Sequence, residues 1–526
     1  MIARLRLSPS WRTAGILISV LAVWEVVGDL KLIGLGAFPS LSSIVASWVT
    51  NSDVYPDHIL ATLKTAGAGF FIGNAVALVL AIGYVLMPSL EKLTRPLVVV
   101  LFCLPVVVAA PILGIAFRGD WPRIILAALL VFFPTMISAT IGLRNAPGDA
   151  LGILRSAGGG IVRGLVLVRL RAALPDLLSG LQIAAPAALL GALLGEFLGG
   201  SKGLGVYLIG SMGRGDAATL WAIGLVATVI SAIAYVLIGL VRHLIGANVA
   251  MSVIDPSSHA GDTSRVAAVA TRRAFAGLGW SLAGLVVVLL AWFAFIGATG
   301  LPRTLMNSPI EVWNSLVASP RASLTRETLL TALLQSGVPA IIGAAAGITL
   351  AVILAIALNA FPSVSRAVMP FAFISQTIPL VALAPLIAII FGRGTLTIVL
   401  VTVSVTFFPS LITMIQGLAS APSGPLEVMR SVNASPMAVL RMVTLPNATP
   451  YILASVRLAV PRALTGVLIA EQFITGTGLG GLLGVSRGYL DYRMMWNITV
   501  VAALVSLVLY MLAQAGEQAV LRRRSS

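Results

Sequence analysis

Stretches of roughly 20 or more apolar residues, long enough to cross ~30 Å of hydrocarbon as a helix, follow one another along this chain. They fall at roughly 13–35, 62–88, 96–117, 122–143, 174–198 and 217–241, and again at roughly 275–299, 332–358, 368–391, 395–418, 449–474 and 494–514. Few folds accommodate such a succession. Lipid offers no water to backbone N–H and C=O groups, so each stretch must satisfy them internally as a helix. Composition agrees: of 526 residues, 58% are hydrophobic and 10% charged, with a mean hydropathy of +1.03. A soluble domain has about a quarter of its residues charged. The expected fold is an all-α polytopic membrane protein with about twelve transmembrane helices.

The second set of six copies the first. Leu104-Pro105 and Ala110-Pro111 return as Ile378-Pro379 and Ala384-Pro385, and Phe132-Phe133-Pro134 returns as Phe407-Phe408-Pro409. Pro186 answers Pro461, Glu196 answers Glu471, Gly203-Leu204-Gly205 answers Gly478-Leu479-Gly480, and Trp221 answers Trp496. A register of 274–275 residues held over so long a stretch marks an internal repeat. An even number of crossings per copy gives both halves one orientation, so the repeats are parallel, related by an axis along the membrane normal, with a pathway where they meet.

A net charge of +16 would suggest nucleic acid in a soluble chain. Here the arginines fall in short loops beside apolar runs, where they set topology. Arg4, Arg6 and Arg12 precede the first run, which has no small-x-small cleavage site and is read as an uncleaved first crossing. The Lys and Arg bias places both termini in the cytoplasm. One cysteine, Cys103, excludes an internal disulfide, and three scattered histidines offer no metal-ligand set. The segment 246–274, with Asp255-Pro256-Ser257-Ser258 and Gly261-Asp262-Thr263-Ser264, is polar and turn-rich and is expected to join the halves as a cytoplasmic linker.

Two hydrophilic islands interrupt the oil. Gly152-Ile-Leu-Arg155-Ser-Ala-Gly158 stands in the first half and Glu427-Val-Met-Arg430-Ser-Val-Asn433 in the second, Arg155 and Arg430 being 275 residues apart. The positively charged side faces the cytoplasm, and a cytoplasmic surface made twice suggests a paired partner. These islands resemble the EAA loop of type I ABC importer permeases: Glu-Ala-Ala, three residues, Gly, nine residues, an apolar residue, one more, then Leu-Pro. Glu427, Val428, Met429, Asn433, Val443, Leu445 and Pro446 fall on those positions, as do Gly152, Ile153, Leu154, Gly158, Val168, Leu170 and Arg171. The wider text is most similar to the nitrate/sulfonate/taurine-like branch of that family, over about 58–245 and 325–518.

The resemblance implies a division into an N-terminal segment with the first crossing (1–57), a first permease domain (58–245), the linker (246–274), a seventh crossing with an outer loop (275–324), a second permease domain (325–518) and a basic cytoplasmic tail (519–526). It also implies a bacterial inner-membrane permease subunit that moves a small anionic or polar organic solute inward by alternating access. In such systems the loop helix sits in a cleft of a cytoplasmic ATPase, so two loops imply two ATPase copies, and an external solute-binding protein delivers substrate to the outer loops. The coupling residues would be Gly152, Arg155, Gly158, Glu427, Arg430 and Asn433. ATP and Mg would be bound by the ATPase, with no cofactor on this chain. A phosphate-binding loop needs Gly-Lys-Ser/Thr, and none of Lys31, Lys64, Lys92 and Lys202 follows a glycine. A twelve-helix ion-coupled secondary transporter is the alternative; it leaves the duplicated loops unexplained.

The first island departs from the family by lacking the Glu and the Leu-Pro proline, and the second by having Asn in place of Gly. The Gly position resembles the left-handed residue that ends one short helix before another begins. Asn is the usual substitute there, and Ser435-Pro436 is suited to restart the helix. Pro105, Pro111, Pro379 and Pro385 lie inside crossings and mark either broken helices lining the translocation path or ordinary kinks, with Gln376 and Thr377 adding polar lining. Glu196 and Glu471 precede Gly-Leu-Gly turns and are expected to cap loop N–H groups or pair with a basic neighbour. Arg457 is placed to snorkel to the cytoplasmic end. Arg462, deeper, is expected to meet either an anionic substrate or a bundle partner such as Glu471. Gly191 and Gly195 suggest close packing between the halves, and Trp221 and Trp496 anchors at the outer interface.

Overall fold

The computed structural model describes residues 11–33, 36–245, 270–360 and 380–525. Among them every regular segment is helical. The first half comprises α1 (Trp11–Asp29), α2 (Leu41–Thr50), α3 (Tyr55–Leu86), α4 (Pro88–Cys103), α5 (Val106–Ala116), α6 (Trp121–Arg144), α7 (Gly148–Ser156), α8 (Ile161–Gly199), α9 (Leu204–Arg214) and α10 (Ala217–Leu244). The second comprises α11 (Ala270–Thr299), α12 (Pro309–Trp313), α13 (Ala322–Ala360), α14 (Leu380–Phe391), α15 (Thr395–Ala419), α16 (Ser423–Ser431), α17 (Pro436–Thr475), α18 (Gly478–Gly488) and α19 (Tyr492–Ser525). Nine of the described helices are long and apolar enough to cross a membrane, and α4 with α5 forms a tenth, broken crossing. The helix α1 occupies the first expected crossing, and α14 follows Gln376, Thr377 and Pro379, which lie outside the described residues.

The third crossing is not the continuous run expected over 96–117. Leu104 precedes a proline, whose ring excludes the helical conformation from its neighbour. Leu104 and Pro105 are both extended, with ψ of 115° and 119°, and α5 leaves α4 at 100°. Such a break survives in hydrocarbon only against protein, and protein is what surrounds it: Pro105 is buried, and α4 and α5 lie against α11, α17 and α19 of the other half. The Thr499 hydroxyl on α19 donates to the Val108 carbonyl of α5 at 3.2 Å. Reciprocally, α14 packs on α8 and α10. Each half thus lends its middle crossing to the other, and one apolar core runs through both.

Each half has a tight heart, α3, α6 and α8 in one and α13, α15 and α17 in the other. Small residues let these axes approach. A methyl group on Gly191 would come within 2.5 Å of the Ala127 Cα, and one on Gly195 within 2.8 Å of Arg123, both on α6. The Gly191–Gly195 face therefore packs inside the first half, and not between the halves as its spacing suggested. The α8 helix also begins earlier than the expected 174, because a five-residue π-helical turn, Leu165–Arg169, carries the loop helix into the crossing without a break.

The duplication extends further toward the N-terminus than the sequence register indicates. The Trp24 and Trp221 indoles donate to the Pro39 and Ala37 carbonyls, both at 3.1 Å. In the second half Trp292 and Trp496 donate to Asn307 and Leu305, at 3.2 and 3.1 Å. Ser40 and Ser308 cap α2 and α12. These N-terminal pairs stand 268 residues apart, not 275. Trp221 and Trp496 are accordingly not lipid-interface anchors: Trp221 meets Trp24 and Phe38 edge-on, and Trp496 is buried and stacked on Trp292. Each clamps the turn before a short helix.

Gly191→Ala is expected to lower the thermal midpoint of the detergent-purified chain, by the equivalent of about 1–3 kcal/mol for an overpacked helix contact. Gly152→Ala, whose methyl meets nothing within 4 Å, should not lower it.

Candidate functional site

The two islands fold alike. The helix α7 ends where the Gly159 and Gly158 N–H groups donate to Leu154 and Arg155 carbonyls at 2.8 and 3.0 Å; α16 ends where Ala434 and Asn433 donate to Met429 and Arg430 at 2.9 and 3.0 Å. This paired pattern satisfies carbonyls that a helix end otherwise orphans, and it requires a left-handed residue. Gly158 has φ of 77° and Asn433 has φ of 50°. Asn keeps the turn that glycine makes in the other copy. Beyond it the Ser435 hydroxyl accepts from the Ala438 N–H at 3.3 Å with Pro436 in the first turn, as the sequence indicated.

No residue of α7 or α16 is buried. Gly152, Arg155, Gly158, Glu427, Arg430 and Asn433 are all exposed. Ile153 and Val428, at equivalent positions, are 71% and 63% exposed. Apolar side chains held out on a polar helix mark a surface that another body covers. The one acidic residue of α7 is Asp149, one turn before Gly152, whereas α16 carries Glu427. The return crossings are pinned differently: Arg169 donates to the Leu143 carbonyl at 2.9 Å, while Asn447 donates to the Ser420 hydroxyl at 3.0 Å.

Glu196 and Glu471 stand at the opposite end of the crossings, 1% and 0% exposed. One Glu196 oxygen accepts from the Gly205 N–H at 3.0 Å and from the Thr62 hydroxyl at 2.9 Å, and that hydroxyl accepts from the Leu204 N–H at 2.9 Å. Glu471 repeats the arrangement with Gly480 N–H at 3.0 Å, Ser336 at 2.7 Å and Leu479 N–H at 2.9 Å. Both carboxyl groups therefore satisfy the first N–H groups of the short helices α9 and α18. Next to them the Gly203 N–H donates to His58 Nδ1 at 3.0 Å, and the Gly478 N–H to Gln335 Oε1 at 3.1 Å. Thr62, Ser336, His58 and Gln335 were not singled out from sequence; the 274-residue spacing of Thr62 and Ser336 was the available signal.

The remaining charges are placed otherwise than expected. Arg457 does not snorkel: it pairs with buried Glu517 at 3.3 Å and lies over the Tyr510 ring at 5.7 Å. Arg462 is half-buried, with no hydrogen bond or ion pair printed to it among the described residues, and Glu471 is engaged by Ser336 and Gly480 in place of it. Pro111 lines a cavity of about 470 Å³ between the halves, beside Arg118, Arg123, Arg487 and Tyr492. Pro385 lies inside α14. The broken-helix reading of Pro105 holds. Among the described residues no group of His, Cys, Asp and Glu is arranged to hold a metal.

The cap geometry separates two substitutions. Glu471→Gln retains an acceptor for Gly480 and Ser336 and should keep most of the thermal stability, whereas Glu471→Ala leaves buried donors unpaired, at a cost of about 1–3 kcal/mol. Gly478→Ala, at φ of 62° with its methyl 2.1 Å from Glu471 Oε1, should be at least as damaging as Glu471→Ala in the same melt.

The sequence pattern of the binding-protein-dependent transport system inner membrane component family matches residues 73–251 and again 347–526, more than half of the chain in all. A probable ABC transporter permease of Haemophilus influenzae is 30% identical over 225 residues, 43% of this chain and 92% of that protein. The riboflavin transport system permease of Chloroflexus aurantiacus is 35% identical over 161 residues, 31% of this chain and 60% of that protein. A putative aliphatic sulfonates transport permease of Bacillus subtilis is 26% identical over 36% of this chain and 70% of that protein. The aligned part of the first relative spans nearly all of it and less than half of this chain, as a doubled permease requires. The chain belongs to the binding-protein-dependent inner-membrane permease family of ABC transporters, with two permease units fused in one polypeptide.

Proposed function

We propose that the chain is the complete transmembrane part of an ATP-driven importer, moving a small solute into the cytoplasm by alternating access. The observation that carries this is the pair of exposed helices α7 and α16, each ending in the same left-handed turn and each showing an apolar residue to solvent. They are built alike at one end of the bundle and satisfy no contact within it, which suits two copies of one cytoplasmic partner. No lysine of the sequence follows a glycine, so the chain has no phosphate-binding loop of its own. The partner is therefore an ATPase subunit that binds ATP and Mg. An external solute-binding protein would deliver the solute at the opposite end, where α2, α9, α12 and α18 lie. Both termini are then cytoplasmic and the membrane is the bacterial inner membrane. The alternative of ion coupling gives α7 and α16 no task.

Coupling follows from mechanics. ATP-driven closure of two ATPases would move α7 and α16 together, and each is continuous, through a π-helical turn, with its half's fifth crossing. Because each middle crossing packs on the other half, tilting one half reshapes the seam. The states differ by contacts at that seam, and the bound solute shifts their populations only through differential affinity.

Affinity purification of the full chain with its ATPase should give two ATPase copies per chain; solute uptake by the chain alone in a proton gradient would defeat the proposal. Asn433→Gly should leave transport-linked ATP hydrolysis largely intact, whereas Asn433→Val should uncouple it, since a β-branched residue in the left-handed region costs about 1–2 kcal/mol. Glu427→Lys is expected to reduce solute-stimulated hydrolysis more than Gly152→Lys; the reverse order would mean that the two helices do not differ in the way their charges imply.

A further inference from the structure

The cavity between the halves has a chemistry that the importer reading leaves unused. Three guanidinium-bearing residues, Arg118, Arg123 and Arg487, line it, and no carboxylate is among its lining residues. Arg123 is balanced, since Asp120 lies 2.8 Å away and the side chain also reaches the Gly119 and Lys202 carbonyls. The other two are not. Arg118 is exposed, and no hydrogen bond or ion pair is printed to it among the described residues. Arg487 donates to the Leu198 carbonyl at the end of α8, which satisfies a helix-end acceptor and leaves the cationic charge uncancelled. The remaining wall is largely apolar, including Ile115, Phe117, Leu126 and Met495. Low-dielectric walls around uncancelled charge focus its field into the space they enclose.

The duplication shows that this charge is not a by-product of the fold. Counting back through Trp496 and Trp221, Arg487 corresponds to Met212, and Arg123 corresponds to a threonine, Thr397. The shared architecture therefore needs neither arginine, and the cations belong to one side of the seam. A volume of about 470 Å³ suits a small organic molecule and falls in the usual range for ligand sites, about 300–1,000 Å³.

We propose that this cavity is a binding site for a small organic oxyanion, held at its charged end by Arg118 and Arg487 and at its apolar end by the Ile115–Met495 wall. It lies at the end of the bundle opposite α7 and α16, so on the importer reading, on which this rests, it is the vestibule that solute enters first. The half-buried Arg462 would be a second cation farther along the seam.

The test places a thiol in the cavity. Gly114 lines it, and a side chain there meets nothing within 4 Å. In full-length Cys103→Ala/Gly114→Cys protein at low salt, the modification rates by an anionic sulfonatoethyl and a cationic trimethylammonioethyl methanethiosulfonate are compared, each normalised to a free thiol. The anionic reagent is expected to gain about 10-fold or more over the cationic one, the scale of a focused field. Adding Arg118→Gln and Arg487→Gln should return the ratio to the free-thiol value, while Arg118→Lys and Arg487→Lys should preserve it, which separates lost charge from lost fold. Excess methanesulfonate should slow modification and choline should not. A ratio equal to that of the free thiol, a ratio unchanged by removing both arginines, or an absence of protection by methanesulfonate would each overturn the proposal. No nucleotide or ATPase enters this assay, so its failure leaves the importer reading to its own copurification test.

Discussion

Backbone groups that leave a helix inside hydrocarbon must find partners in protein, and this requirement governs where the chain turns. Two buried glutamates answer it at the end remote from the loop helices. Each accepts from a main-chain N–H of the short returning helix and from a hydroxyl on its half's second crossing, and that hydroxyl accepts from the preceding N–H. One side chain thereby joins the fifth crossing, the second crossing and the re-entering helix. A carboxylate is costly in such surroundings unless it is hydrogen-bonded, and the glycines beside it leave no room for a side chain. The same constraint explains the break at Leu104–Pro105, which falls where the other half supplies the surrounding surface.

Much of the architecture was legible because hydrocarbon imposes a length and a periodicity on sequence. The twelve apolar runs, the parallel duplication and the two loop turns, including a left-handed Asn433, could all be read from residues and spacing. What could not be read depends on tertiary neighbours. Gly191 and Gly195 announced a close approach without naming the partner, which proved to be α6 of the same half. Trp221 and Trp496 carried the composition of interface anchors, but their indoles find carbonyls in the turn before a short helix. Arg457 was long enough to reach water and instead met Glu517 from the last crossing. The N-terminal part of the duplication was hidden by a change of spacing from 268 to 274 residues between Ser47/Ser315 and Thr62/Ser336.

The halves are alike where they are scaffold and unlike where they carry charge. Tryptophan clamps, glutamate caps and left-handed turns recur with nearly the same geometry. Arg487 faces Met212 across the repeat, Arg462 faces Ala187, and Glu427 faces Gly152. The paired arginine and glutamate at 457 and 517 stand where the first half has Gln182 and Arg242. Packing tolerates little change once two copies share a core, because each half lends its middle crossing to the other. Exposed and cavity-facing positions are under no such restriction.

Fusion alters what a single substitution does. In a permease assembled from two identical subunits, every mutation arrives twice, so a useful change on one wall comes with its twin on the other. Here Asn433 and Gly158 occupy matching turns on one polypeptide and can drift apart independently. The molecule is thus free to become a lever with unequal arms, one helix specialised for gripping its engine and the other for yielding.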